Sequence, residues 1–346
     1  MYPYLTHDPP WFAFLVHPRD MGDLYRCRES AFLLERSESE EDFIAQLHQH
    51  PPTVIGEVTF SGSAARGEII AVGFLPQDLF GRDARRKLIE ALELARIRGA
   101  KTVGLGGLTS SATRGGRSLL PHADGITLTN GNAYTAVTVV GQVKEAVGLF
   151  GLSDHAKVGV LGCTGSVGVP ASRLLAAEGF RLTLVGRRPE RVRNLLGDLS
   201  GATLSGDPSS LREAEVAVLL AGGESARISE QHISDGTVVL DFAQPLNITP
   251  DLRAHLGERG VTVVEGGLVD IPGYGTTCDW GLTDPDAAFA CLAETYLFSR
   301  EGLREPSVGI PSTEFVLRIA RIAQRHGVVP RRIDLLHPKA ELEVAS

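Results

Sequence analysis

Apolar and polar positions follow one regime up to about residue 156 and another beyond it. In the first, the segments PTVIGEVTFSGS (52–63) and GEIIAVGFLP (67–76) are rich in β-branched residues and separated by a short turn, which predicts a hairpin. GRDARRKLIEALELARIRGA (81–100) repeats apolar side chains at helical spacing and closes on Gly99, so a helix is expected there. KTVGLGGLTS (101–110) reads as a short apolar strand running into a Gly/Ser loop. Residues 126–151 read as a strand, a turn at Asn130 and Gly131, and a long helix that would connect two α/β units. The first 25 or so residues, rich in proline and aromatics, read as irregular.

From Lys157 the pattern becomes a strict alternation. Strands KVGVLGC (157–163) and RLTLVGRR (181–188) flank a helix at 167–178, and strands at 216–223, 237–243 and 261–267 follow. Continuous apolar strands alternating with helices predict a parallel sheet covered on both faces. The last 65 or so residues read as mostly helical, with a frayed tail at 338–346. Within them DPDAAFACLAETYLFSREG (284–302) predicts one helix, with Asp284 as its N-cap and Pro285 at its first position. Phe289, Leu292, Ala293, Tyr296 and Leu297 form its apolar stripe. Cys291 falls almost opposite, on a face with Ala287, Glu294 and Phe298. A cysteine that only fills a core belongs inside the stripe, so Cys291 is a candidate for chemistry. Phe298 on the same face suggests an apolar cavity beside it.

The loop after the strand at 157–163 carries Gly162, Gly165 and Gly168 and opens a helix. Glycines at this spacing permit a tight turn, close approach of backbone to a pyrophosphate, and tight helix–strand packing, with the helix N-terminus facing the phosphates. Gly162, Thr164, Gly165, Ser166, Val167 and Gly168 are therefore candidate cofactor contacts. After the second strand, an NAD-selective site usually places an acidic residue for the ribose hydroxyl. Arg187 and Arg188 stand there instead, which predicts NADPH. The strand ends with Ala221, Gly222 and Gly223, and with Gly266 and Gly267, lie at the carboxyl edge of the same sheet, where the nicotinamide half would sit. Cys163, inside the loop, reads as a small loop residue rather than a nucleophile.

The expected fold is therefore α/β: an N-terminal α/β substrate unit (1–153), a Rossmann-type parallel-sheet NADP-binding unit (154–282) and a C-terminal helical region carrying Cys291 (283–346). Composition changes this little. Hydrophobic residues are 43% and charged residues 22% of 346, ordinary for a globular chain. A net charge of −8 offers no basic field for nucleic acid or an anionic membrane, and no apolar stretch has the length of a span. Four cysteines show neither a CxxC pair nor metal spacing, so no metal is expected. With no signal-peptide pattern at the N-terminus, the expectation is cytoplasmic with reduced thiols. Nothing in the sequence decides for or against an oligomer.

Several separated segments resemble the long-chain acyl-[acyl-carrier-protein] reductases best known from cyanobacteria. They are GFLPQDL (73–79), LGGLTS (105–110), TNGNAYTAV (129–137), the glycine loop and FACLAE (289–294), within a match over roughly residues 12 to 330. The resemblance implies that Cys291 is the nucleophile. It implies reduction of a fatty acyl thioester to the aldehyde with NADPH, through an acyl group carried on that cysteine. It also implies acyl-carrier protein or coenzyme A as the acyl donor. The residues by themselves agree, since a cysteine and a reduced nicotinamide are the pair that thioester reduction needs. With the helix starting at Pro285, Cys291 would lie beyond the first turn, where the helix dipole acts little. His122 and His326 are available as bases but neither is assigned, and backbone donors for an oxyanion are sought in LGGLTS or TNGNA. Two other classes fit the same domain order. A shikimate-dehydrogenase-like enzyme would transfer hydride directly and need a catalytic Lys/Asp pair, and a non-catalytic NADP(H) sensor would need no thiol.

Overall fold

The computed structural model describes residues 11–222 and 228–334. The first sheet is built from β1 (Phe12–Val16), β2 (Thr53–Phe60), β3 (Arg66–Ala71), β4 (Thr102–Leu105) and β5 (Thr127–Thr129). β1 lies parallel between β3 and β4, β5 continues the parallel edge, and β2 pairs antiparallel with β3 as the expected hairpin. Helices α1 (Met21–Arg26), α2 (Arg28–Leu34) and α3 (Glu40–Gln49) follow β1, and α4 (Arg82–Ile97) precedes β4. The short α5 (Leu108–Ala112) leads out of β4, and α6 (Asn132–Leu149) leads out of β5.

Phe12–Val16, inside the segment read as irregular, is a central strand whose Phe12, Ala13, Phe14 and Leu15 are buried. A parallel strand covered on both faces shows no alternation, and its five residues are too few for periodicity to speak.

The second sheet is wholly parallel. In chain order its strands are β6 (Lys157–Leu161), β7 (Arg181–Val185), β8 (Thr203–Ser205), β9 (Val216–Leu219), β10 (Val238–Asp241) and β11 (Thr262–Glu265). Their spatial order, β11-β10-β9-β6-β7-β8, is the doubly wound 3-2-1-4-5-6 arrangement of dinucleotide-binding sheets. Helices α7 (Gly168–Ala177), α8 (Pro189–Leu196) and α9 (Pro250–Glu258) belong to its crossovers. The switch point falls between β6 and β9, so the loops after those strands define the cleft where a ligand would lie.

The remaining elements join the two sheets. β12 (Leu268–Asp270) pairs antiparallel with both β14 (Ala288–Phe289) and β15 (Val329–Pro330). β13 (Tyr274–Thr276) pairs with β2 at the edge of the first sheet. Helix α10 (Ala290–Arg300) packs over β1, β4 and α6, and α11 (Thr313–Arg325) packs on α6 and α7. One continuous apolar cluster runs from Phe12 and Phe14 through Val139 and Val143 of α6 to Val158 and Val160 of β6.

The helix carrying Cys291 departs from expectation in two ways. It starts at Ala290, not at Pro285. Ala288 and Phe289 are held in the ladder with β12, and the Ala290 N–H is donated to Gly267 O at 2.8 Å. Asp284 caps a turn instead, accepting from the Asp286 N–H at 2.9 Å and pairing with Arg331. The helix is also buried all round. Glu294, Thr295 and Phe298 are as enclosed as Leu292 and Leu297, and Phe298 stacks edge-on against Phe315 of α11. Phe298 is therefore core, and the stripe was not what set Cys291 apart.

Candidate active site

Cys291 occupies the second position of α10, inside the first turn. There the backbone N–H groups have no intrahelical partners and carry the positive end of the helix dipole. Those of Cys291 and Leu292 and, from across the chain, that of Gly107 favour the charged form of the Cys291 sulfur. These donors pull the thiol pKa down, but burial outweighs them and the nearby Glu294 adds to it, so the pKa stands at about 11. The resting side chain is a thiol.

Two clefts meet at this sulfur. The larger, about 430 Å³, is lined by apolar side chains of the first sheet and of the helices after β1, including Phe14, Val16, Leu24, Leu33, Leu47 and Val54. It is also lined by Arg19, Asp23 and Arg26, with both arginines paired to Asp23. The smaller, about 180 Å³, is lined by Gly165, Ser166, Val167, Gly168, Gly222, Gly266 and Gly267, together with Asn132 and Phe242. Gly107, Gln244, Phe289 and Cys291 line both. Cys278 lines only the larger cleft, and Cys163 neither. Burial pushes both thiols up to about 12. Among the described residues, Cys291 is the one cysteine at the junction.

The glycine loop is built for close approach. A Cβ at Gly168 would stand 2.3 Å from Gly162 O, and one at Gly162 would stand 2.8 Å from the Ala221 nitrogen at the end of β9, with φ at +85°. These two glycines therefore bring strand, loop and helix into contact, while Gly165 is exposed at the loop surface. The loop thus fits a dinucleotide pyrophosphate. Gly162, Thr164 and Ala221 do not line the cleft. Arg187 and Arg188 are exposed at the end of β7, outside the cleft, and no ion-pair partner for either stands among the described residues. Gly223 lies outside the described residues. At Gly266 the missing side chain makes room for the Phe242 ring, 2.6 Å from where a Cβ would be, and Gly267 adopts φ +81°.

Segment 129–134 ties the cysteine helix to the glycine loop. A Cβ at Gly131 would lie 2.2 Å from Cys291 Cβ, so the two backbones touch. Asn132 Nδ2 donates to Ser166 Oγ at 2.7 Å and to Ser110 Oγ at 3.4 Å. Glu294, fully buried, accepts from the Thr129 hydroxyl at 2.5 Å and from the Tyr134 N–H at 2.7 Å, and so caps α6 from a neighbouring helix. Burial raises its pKa against those bonds. Asp241, at the carboxyl end of β10, accepts from the backbone of Ala243, Asn247 and Ile248 and so shapes the loop bearing Gln244.

His122 and His326 line neither cleft, and His326 pairs with Glu301. The histidine that sequence reasoning missed is His17, buried at the end of β1 and lining the larger cleft. Its signal, a polar residue at the carboxyl end of a strand, was hidden because the strand went unread.

No family model matches the chain. It is 28% identical to the aminotransferase PigE of a Serratia species over 340 residues, 91% of this chain and 39% of that protein. It is 30% identical to glutamyl-tRNA reductase 2 of a Nocardioides species over 194 residues, 53% of this chain and 42% of that protein. The chain thus spans about two fifths of the length of these curated relatives. Among solved structures it is similar to shikimate dehydrogenase from Aquifex aeolicus, at 12% identity and a TM-score of 0.41 over 90% of this chain and 98% of that one. L-tryptophan dehydrogenase from Nostoc punctiforme gives 14% identity and 0.41 over 74% and 70%. The resemblance to long-chain acyl reductases rests on the sequence segments alone. Among the described residues no helix is long and apolar enough to cross a membrane.

Proposed function

We propose that this chain is a nicotinamide-dependent oxidoreductase that reduces an activated acyl group, a fatty acyl thioester, to the aldehyde through an acyl-enzyme on Cys291. The observation that carries this reading is the position of Cys291 between an apolar cleft and a glycine-lined one. The apolar cleft takes the acyl chain. Cys291 Sγ attacks the thioester carbonyl, a new C–S bond forms, and the carrier leaves as a thiol with the proton that Cys291 gives up. The helix and Gly107 N–H groups hold the sulfur while it bears charge. The glycine loop would hold the pyrophosphate and Arg187 and Arg188 a 2′-phosphate, and reduced nicotinamide, when bound, supplies hydride to the acyl carbon. Loss of aldehyde returns the sulfur to the helix N-terminus, where it regains a proton. A reductase acting on an aminoacyl-tRNA among the relatives supports this class of chemistry.

A direct dehydrogenase of the shikimate type fits the same fold. Neither cleft is lined by a lysine among the described residues, and Lys87 is engaged with Gln49 O and Glu90, which favours the covalent route.

The test is incubation with acyl thioesters from C4 to C18 without NADPH. A mass increase equal to the acyl group is expected on the peptide containing FACLAE, with aldehyde released once NADPH is added. Cys291→Ala should lose both while Cys278→Ala keeps most activity. Affinity should rise with chain length by at most ~0.8 kcal/mol per buried CH₂. An adduct on Cys278, or full turnover by Cys291→Ala, overturns the assignment, and a flat response to length overturns the fatty acyl substrate.

A further inference from the structure

The loop between β4 and α5 is fastened to strand β1 at two places on either side of Gly107. The Gly106 N–H is donated to Leu15 O at 2.8 Å, and the Leu108 N–H to His17 Nε2 at 3.0 Å. Gly107 between them has φ +54° and ψ −135°, and a Cβ there would meet His17 Nε2 at 3.0 Å. Both neighbouring N–H groups are thus consumed by the β1 segment, while Gly107, which lines both clefts together with Cys291, keeps its N–H free to act on that thiol, whose pKa it lowers.

A backbone N–H only donates, so His17 Nε2 must be the acceptor. The proton is then on Nδ1, which stands 2.8 Å from Pro18 O and donates to it. The imidazole is neutral with a fixed tautomer and no spare lone pair. It is therefore not placed to take the Cys291 proton.

We propose that His17 is a positioning residue for the nucleophile: as hydrogen-bond acceptor for Leu108 it holds the Gly107 N–H against the sulfur of Cys291. This deepens the acyl-transfer reading above and rests on it for its catalytic meaning. Its structural consequence is separate. Without the acceptor at Leu108, the loop loses one of its two fastenings, the Gly107 donor drifts from the sulfur, and the thiol becomes harder to ionise.

The experiment compares three variants of the full chain by the pH profile of iodoacetamide labelling, followed by mass spectrometry on the Cys291 peptide, with the Cys27 peptide as internal reference. His17→Gln keeps an acceptor near the Nε2 position and should label Cys291 like the parent. His17→Asn can place its amide N–H toward Pro18, but its shorter side chain leaves the carboxamide oxygen short of the Nε2 position, and His17→Leu keeps neither group. Both should slow Cys291 labelling at a fixed pH by about tenfold, the worth of one hydrogen bond to a charged group at the low end, and move the profile to higher pH. NADPH binding should be unchanged in all. If Leu does not fold, the contrast between Gln and Asn decides. Parent-like labelling in folded Asn or Leu variants overturns the proposal, as does slowing in Gln equal to that in Asn. Labelling needs no acyl thioester. A parent protein that forms no acyl adduct therefore counts against the acyl-transfer reading, while the labelling contrast still judges His17.

Discussion

Gly131→Ala tests the contact on which the site's geometry depends. The added Cβ would lie 2.2 Å from Cys291 Cβ and 2.5 Å from its Cα, where carbon atoms ordinarily approach to about 3.5–4.0 Å. No rotamer relieves this, because both neighbours belong to backbone or to the first side-chain carbon. Gly131 also has φ +72°, which costs an L-residue ~1–2 kcal/mol. Overpacking adds ~1–3 kcal/mol, so a loss of about 2–5 kcal/mol is expected in urea unfolding. Relief requires α10 and the start of α6 to part by roughly 1 Å, and a displacement of that size costs about 10²-fold in a positioned reaction. Acyl-enzyme formation should therefore fall about a hundredfold in molecules that remain folded. Gly148→Ala in the same helix is the control. A Cβ there meets nothing within 4 Å, so stability should be unchanged or rise by about 0.4–1 kcal/mol. An unfolding midpoint for Gly131→Ala equal to the parent's, with an unaltered acylation rate, would refute the packing of these two helix starts.

Replacing Arg187 and Arg188 together with Ser should weaken NADPH binding about tenfold or more and leave NADH nearly unaffected, since each charge-assisted bond to a 2′-phosphate is worth ~1.5–3 kcal/mol. Equal loss of both cofactors in a titration would make the arginines structural. Alkaline pH should destabilise the chain. The Cys291, Cys163 and Cys278 thiols hold their protons up to about 11, 12 and 12 in the folded state, against a starting value of 9.0. Between pH 9 and those values the unfolded chain releases protons that the folded chain keeps. The thiol contribution is therefore complete below 9 and declines above it. Urea midpoints measured from pH 8 to 11 should fall, and a flat profile would show that the thiols are not enclosed as described. His17 behaves in the opposite sense. Burial lowers it from 6.5 to about 4, so its contribution is complete above 6.5 and is lost as pH drops through about 4.

What the sequence determined by itself was the part encoded locally. The hairpin, the alternation from Lys157, the glycine loop and the rod helix α6 each follow from runs long enough for periodicity and turn chemistry to speak. Cys291, which lies where the two clefts meet, was singled out too, though for a reason that did not survive, since α10 is buried on every side and its stripe is no guide. Tertiary structure alone decided where that helix begins. Asp284 and Pro285 form a sound local start signal, but the β12–β14 ladder and the bond from Ala290 to Gly267 are between residues distant in sequence, and they hold 288–289 extended. That shift of start places Cys291 in the first turn, where free N–H groups face its sulfur. The roles of His17, Gly107 and Glu294 were hidden for the same reason. Each depends on a partner at least 91 residues away, and local propensity carries no record of such pairings.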